Sequence, residues 1–239
     1  MTKTIRGSVV VITGATGAIA KALIAELTAR GAAKIYAAAR DISALAASGQ
    51  LVPIKMDVTS DDDVTRAAAV AADVTLLINN AGVNHNTAFM VAPDLAMARE
   101  EIEANYLAPL RVTRAFAPAL IANGGAVLNM LTILARVNLP FMGSYCASKA
   151  AGLSLTQGLR GELGPKGVRV VAAMPGAVDT RMTAMLTIPK MTTAAAAAEI
   201  LDGLEAGEEE IYVGDMARGI AEGLAHDPKA IERQLASPG

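Results

Sequence analysis

Tyr145 and Lys149 stand four residues apart in the run Ser144-Tyr145-Cys146-Ala147-Ser148-Lys149. On a helix that spacing puts both side chains on one face, one turn apart. A phenol is a poor proton donor at neutral pH, with an ordinary pKa of about 10. An ammonium held beside it favours the phenolate and draws that value down, which makes the pair a candidate acid/base near pH 7. The same spacing arises by chance on many helix surfaces, so its weight depends on the rest of the chain.

Those two residues need a scaffold, and the chain predicts one. Short β-branched runs alternate with longer Ala- and Leu-rich segments. Strands are expected at Ser8–Thr13, Lys34–Ala39, Val52–Met56, Val74–Asn79, Ala126–Leu131, Val168–Met174 and Ile211–Val213. Helices are expected at Ala18–Arg30, Asp61–Ala71, Pro93–Tyr106, Leu107–Ala122, Ser144–Leu163 and Thr193–Ala206. Most of the strands are apolar without alternation, which suits a parallel sheet covered on both faces. Alternating strands and helices imply right-handed crossovers, and hence an α/β, doubly wound sheet of about seven strands. No linker or repeat divides the 239 residues, so a single domain over 1–239 is expected.

Composition narrows the function classes. Hydrophobic residues make up 53% of the chain and aromatics 3%, so the core must be largely aliphatic. The net charge of −2 and the lack of a basic run argue against a nucleic-acid surface. Ala115 to Ala135 is free of charge, but Pro118, Asn123-Gly124-Gly125 and Asn129 interrupt it. It reads as a helix end, a turn and a buried strand rather than a membrane span. The opening residues carry no long apolar run of the secretory kind, and Cys146 has no internal disulfide partner, so a cytoplasmic location is expected. The run Asp61-Asp62-Asp63 is the first turn of a helix, where acids complement the dipole, and no metal site is expected.

A nucleotide site is predicted at the first turn. Val9-Val10-Val11-Ile12-Thr13 is followed by Gly14-Ala15-Thr16-Gly17 and then by the helical Ala18-Ile19-Ala20. Such a turn aims backbone N–H groups and a helix N-terminus at an anion, usually a pyrophosphate. The end of the second strand faces the adenosine ribose, and there Ala39 is followed by Arg40, a candidate clamp for a 2′-phosphate. NADP(H) is therefore expected over NAD(H), which is not excluded. The competing expectation is a solvated Arg40 paired with Asp41.

Further residues fall into order around these two sites. They are Thr13-Gly14, Asn79-Asn80-Ala81-Gly82 after the fourth strand, Asn105 in the following helical region, Thr132 after the fifth strand and thirteen residues before Tyr145, and Pro175-Gly176 after the sixth. In order and spacing the chain resembles the short-chain dehydrogenase/reductase family, in its single-domain branch, from about Ser8 to Val213. The resemblance implies a Rossmann fold and hydride transfer between a nicotinamide cofactor and a carbonyl or secondary alcohol. It makes Tyr145 the acid/base, Lys149 the residue that lowers its pKa and holds the nicotinamide ribose, and Asn105 the holder of a relay water. Thr132 takes the place of the usual serine. The resemblance assigns cofactor contacts to Gly14, Thr16, Gly17, Ala18, Ile19, Asp57, Val58, Asn80, Ala81, Gly82, Pro175, Gly176, Val178 and Thr180, besides Tyr145 and Lys149. It implies a homotetramer or homodimer joined through helices Pro93–Ala122 and Ser144–Leu163.

Two positions depart from the family pattern T-G-x-x-x-G-x-G: the second and third glycines are Ala18 and Ala20. A methyl at Ala18 is expected to crowd a pyrophosphate, while Ala20 suits close helix packing. Thr132 keeps a hydroxyl donor but adds a methyl to the pocket. The substrate is a small molecule, with His85, Leu134, Val137, Phe141, Met142, Met182 and Met185 as expected pocket residues and a short covering segment near 181–195. Arg136 reads as a surface residue. The rival readings are a non-catalytic NADP-binding sensor or scaffold, and the same fold turned to dehydratase, epimerase or enoyl reductase chemistry.

Overall fold

The computed structural model describes residues 4–236. Residues 1–3 and 237–239, included in the expected domain, lie outside the described residues. The chain forms strands β1 (Val9–Thr13), β2 (Lys34–Ala39), β3 (Leu51–Lys55), β4 (Leu76–Asn79), β5 (Ala126–Met130), β6 (Arg169–Pro175) and β7 (Glu210–Val213). They make one sheet in the order β3-β2-β1-β4-β5-β6-β7, with every pairing parallel. The expected doubly wound Rossmann arrangement is present, with strand ends within about two residues of the expected ones.

The helices are α1 (Ala18–Ala29), α2 (Asp61–Val70), α3 (Ala96–Ile102), α4 (Ala108–Ala122), α5 (Gly143–Leu163), α6 (Thr193–Ala206), α7 (Asp215–His226) and α8 (Pro228–Ala236). Neighbouring strand residues feed opposite faces, as the pleat requires. Val10, Ile12, Ile35, Ile78 and Leu128 pack with Leu23 and Leu27 of α1 and Ile200, Leu201 and Leu204 of α6. Val11, Leu77, Val127 and Val170 pack with Val112, Phe116 and Leu120 of α4 and with Leu159 and Leu163 of α5. Both faces are dry, which is why the strands read as continuous apolar runs. Edge strand β3 tolerates Pro53 because it has a neighbour on only one side.

Three features differ from the sequence expectation. The helices expected at Pro93–Tyr106 and Leu107–Ala122 are joined by a π-helical turn, Glu103–Leu107, so that α3 runs on into α4 without a loop. Helices α7 and α8 follow β7 beyond every element expected. The covering segment ends at Thr192, whose side chain accepts from the Ala195 N–H and caps α6. The acids of Asp61-Asp62-Asp63 do sit in the first turn of α2, capped by Ser60. Asp61 meets Arg111 and Asp63 meets Arg66. Among the described residues no helix is long and apolar enough to cross a membrane.

Candidate active site

The carboxyl ends of β1 and β4 are clasped together. The Thr13 hydroxyl oxygen accepts the N–H groups of Asn80 and Ala81, both at 3.0 Å, and Asn80 Nδ2 donates to Thr13 O at 3.0 Å. Between them Gly14 has φ +65°, and a Cβ there would stand 2.9 Å from Ala81 Cα. Glycine is required on both counts. Gly17 is the extended N-cap of α1 and supplies no side-chain hydrogen bond, so the first-turn amides, starting at Ala18, have no side-chain cap. Thr16 and Ala18 are exposed and Ile19 half-buried at this end. Ala18 has the helical conformation of a first-turn residue, and Ala20 is fully buried against the sheet.

Arg40, just past β2, is exposed and makes no ion pair or hydrogen bond among the described residues. The expected rival pairing with Asp41 is not formed, because Asp41 Oδ1 accepts the Ser43 N–H at 2.9 Å. Asp57 follows β3. Its Oδ1 accepts from the N–H and hydroxyl of Thr59, at 2.9 and 2.7 Å. The Thr59 N–H chiefly, with the hydroxyl and the charges of Arg40 and Arg111 added, holds this carboxyl below the usual carboxylate range. Val58 is half-buried beside it, its carbonyl accepting from Arg111. A glycine cradle with no room for a Cβ, uncapped helix amides and an unpaired arginine at the ribose position together fit a phosphorylated dinucleotide.

The two residues expected as the acid/base pair lie at the carboxyl end of β5. Lys149 is buried and its Nζ donates to Met130 O at 2.9 Å. Burial lowers its pKa to about 8. The Tyr145 ring centroid lies 5.8 Å from that Nζ, and its hydroxyl makes no hydrogen bond among the described residues. The expected lowering of the Tyr145 pKa by Lys149 is not seen in the cofactor-free chain. Burial pushes the phenol up, with smaller upward contributions from Cys146 and Glu101. Desolvation of a side chain 8% exposed outweighs the ammonium, which is turned toward the Met130 carbonyl.

Asn105 lies in the π-helical turn, a distortion that often accompanies a functional site. Its Nδ2 donates to Val83 O (2.8 Å) and Ser148 Oγ (2.9 Å), and its Oδ1 accepts the Val83 N–H (3.0 Å). The side chain therefore braces the loop after β4 against α5. A Cβ at Gly82 would fall 2.7 Å from Asn105 Oδ1, which explains the glycine. The Thr132 hydroxyl donates to Pro175 O at 3.2 Å and accepts the Leu134 N–H at 3.3 Å. Val178 is buried beside it in sequence, and Thr180 N donates to Thr183 Oγ1 at 3.2 Å.

The expected pocket residues divide. Leu134, Leu139 and Leu186 pack on the cluster of Met142, Tyr145 and Cys146. Phe141, Met182 and Met185 are exposed. His85 is half-buried, its Nε2 2.9 Å from Glu100 Oε2. Arg136 donates to the Tyr212 hydroxyl and lies over its ring, as the surface reading expected. The segment 179–190 is closed at its base by a parallel bridge between Val178 and Met191, and Lys190 Nζ donates to Thr183 O at 3.1 Å. Sequence reasoning missed Ser148, which is buried and links Asn105 to Tyr145 O, and Glu101, a buried acid one turn before Asn105. The helical period was a usable signal for Glu101: a residue four before a buried one shares its face. A surface cavity of about 580 Å³ lies elsewhere, between α2 and α4, lined by Val64, Leu107, Leu110 and Arg114 among others.

Comparison with known proteins follows the same pattern. The family model for short chain dehydrogenase matches residues 8–190. A short-chain dehydrogenase of Penicillium crustosum is 33% identical over 180 residues, 72% of this chain and 66% of its own length. The 1-deoxy-11-beta-hydroxypentalenate dehydrogenase of Streptomyces exfoliatus is 33% identical over 75% of this chain and 70% of its own. Several other curated relatives are longer, the chain spanning 54% of an 11-beta-hydroxysteroid dehydrogenase of Arabidopsis thaliana. A crystal structure of a short chain dehydrogenase from Burkholderia cenocepacia in complex with NADP is 45% identical, with a TM-score of 0.95 over 99% of this chain and 100% of that one. The chain belongs to the short-chain dehydrogenase/reductase family.

Proposed function

We propose that this protein is an NADP(H)-dependent alcohol dehydrogenase or carbonyl reductase, interconverting a ketone or aldehyde with a secondary alcohol. The observation that carries the reading is the buried Tyr145/Lys149 pair, with Thr132 and Asn105 near it in the fold, at the same carboxyl end of the sheet as the glycine cradle. When bound, the nicotinamide would supply or accept the hydride. In reduction Tyr145 gives its phenolic proton to the carbonyl oxygen as charge develops there, and Thr132 supplies a second hydroxyl. Asn105 braces the loop after β4 and, through Ser148, the backbone of Tyr145, while Lys149 is anchored on Met130 O. Gly14, Gly17 and the first amides of α1 would hold the pyrophosphate, and Arg40 a 2′-phosphate. The NADP bound to the Burkholderia cenocepacia structure supports that choice of cofactor.

A non-catalytic NADP-binding sensor or scaffold is the second reading. It is favoured by the Thr132 hydroxyl being turned to Pro175 O and by the raised Tyr145 phenol. We further infer a homodimer or homotetramer, with Leu107 exposed on the α3–α4 face for contact, and a cytoplasmic setting in which Cys146 stays free. The test is consumption of NADPH and NADH over a panel of ketones and alcohols. Turnover with NADPH above NADH is expected, and Arg40→Asp is expected to shift the kcat/KM ratio toward NADH by tenfold or more, on the order of 1.4 kcal/mol. No turnover with any carbonyl would leave the sensor reading in place, and an unchanged ratio would remove Arg40 as the discriminator.

A further inference from the structure

Glu101 is the acid that the reaction above does not use. It is 1% exposed, in the last turn of α3. Its Oε1 accepts the His85 main-chain N–H at 2.8 Å, while Oε2 is buried without a hydrogen-bond partner. A carboxylate so placed is costly to bury unless something depends on it. Its position says what that is. Helices α3 and α5 both return across a parallel sheet, so they run in the same direction, and they pack together. Asn105 reaches Ser148 on α5, and Ser148 in turn bonds Tyr145 O at 2.7 Å. One turn back along both helices, Glu101 comes level with Tyr145 and Cys146.

The other charged or titratable groups around this point are few. Helix α5 brings Cys146 and Lys149, and Lys149 is engaged with Met130 O. The loop after β4 brings His85, whose imidazole approaches exposed Glu100 without hydrogen-bond geometry. The segments at 134–142 and 186 bring Leu134, Leu139, Met142 and Leu186 to Tyr145, and Arg136 on the first of them is turned to Tyr212. No cation of these elements pairs with Glu101, and after burial and Cys146 it is a further cause of the upward push on the Tyr145 phenol, as it is, after burial, on the Cys146 thiol.

We propose that Glu101 is a positioning residue for the acid/base step, pinning the loop after β4 at His85 through Oε1 and setting a buried carboxyl level with Tyr145 across the α3–α5 contact. This rests on Tyr145 being the acid/base of the proposed reaction. Glu101 so placed moves the working pH of both directions upward: reduction keeps its proton donor to higher pH, and oxidation needs higher pH to gain its base.

Glu101→Gln keeps an oxygen for the His85 N–H and removes the charge, so it separates the two roles. The readout is tyrosinate absorbance after a rapid pH jump, recorded before unfolding, with the matching Tyr145→Phe chain subtracted in each background. In Glu101→Gln the Tyr145 signal is expected to appear about one pH unit lower, which is about tenfold in the phenolate fraction at a fixed pH. The acid limb of NADP-linked alcohol oxidation is expected to move with it. Glu101→Asp, a second variant should the amide not be tolerated, draws the charge back by one methylene and shifts the signal the same way by less. Identical Tyr145 titration in wild type and both variants would overturn the proposal. The absorbance reading needs neither substrate nor cofactor, so an absence of carbonyl turnover would sink the oxidoreductase reading without deciding this one.

Discussion

Two buried polar groups of residues share the carboxyl half of the sheet, and they are built on opposite principles. In the first, Asn79 and Asn129 face each other across β4 and β5. Asn79 Nδ2 donates to Thr113 Oγ1 and Asn129 Oδ1, Asn129 Nδ2 donates to Thr156 Oγ1, and Thr156 donates to Gly152 O. This ladder ties α4, the sheet and α5 together, and all but one of its side-chain atoms are paired, the exception being Asn79 Oδ1. In the second group, nearer the start of α5, the Tyr145 hydroxyl has no hydrogen bond among the described residues, Lys149 Nζ has one, and Glu101 keeps an unpartnered oxygen. Satisfied polar atoms hold a fold rigid, whereas buried groups left short of partners carry perturbed protonation and are free to engage a ligand. In the function proposed, the ladder positions and the cluster reacts.

The comparison is broken most sharply by exchanging the expected costs. Lys149→Met is expected to lower kcat by about a thousandfold while leaving stability at pH 7 equal or higher, because a buried ammonium is removed. Wild-type stability should also climb as pH rises from about 8 toward 10.5, the lysine's ordinary value. In that window the unfolded chain still binds the proton and the folded chain has lost it, so raising pH favours folding. The methionine variant should lack the climb in denaturant titrations run across that range, and a climb of equal size in both chains would remove Lys149 as its source.

Asn129→Leu should do the reverse. It takes away one of the two acceptors of Asn79 Nδ2 and the donor to Thr156 Oγ1, at a cost of about 2–4 kcal/mol in chemical denaturation. Activity per folded molecule should stay within about threefold of wild type. A large kcat loss at full stability would place Asn129 in the reacting cluster instead. Thr132 sharpens the boundary between the groups. Thr132→Ser should retain turnover, and Thr132→Ala should lose about tenfold to a hundredfold of kcat, measured with a saturating carbonyl. Equal rates in all three would return Thr132 to a purely structural role, bonded to Pro175 O as it is here.

Local residue types made part of this legible in the sequence. The glycine turn at Gly14, the Asn80-Ala81-Gly82 segment and the Tyr145/Lys149 spacing are short patterns whose geometry follows from chain stereochemistry. The parallel sheet was legible too, because strands dry on both faces carry unbroken apolar runs. What escaped was set by tertiary contact. Asn129 read as an interruption in an apolar stretch, since nothing nearby in sequence reveals Asn79 or Thr156. The π-helical turn that aims Asn105 at Val83 and Ser148 has no residue signature of its own. Burial of Tyr145, which reverses the simple expectation that the ammonium lowers the phenol, depends on packing of Met142, Leu134 and Leu186 from three separate segments. Helices α7 and α8 went unread although both are amphipathic; among their residues only Ala217 is buried, so they add little to the core that the other elements share.

The most direct test of the central claim is Tyr145→Phe, assayed for NADPH oxidation with the best carbonyl of the panel and, separately, for NADPH binding by fluorescence. Loss of turnover by about a thousandfold or more, with Kd for the cofactor within about threefold of wild type, is the result predicted for a proton donor. Turnover near the wild-type rate in Tyr145→Phe would contradict it.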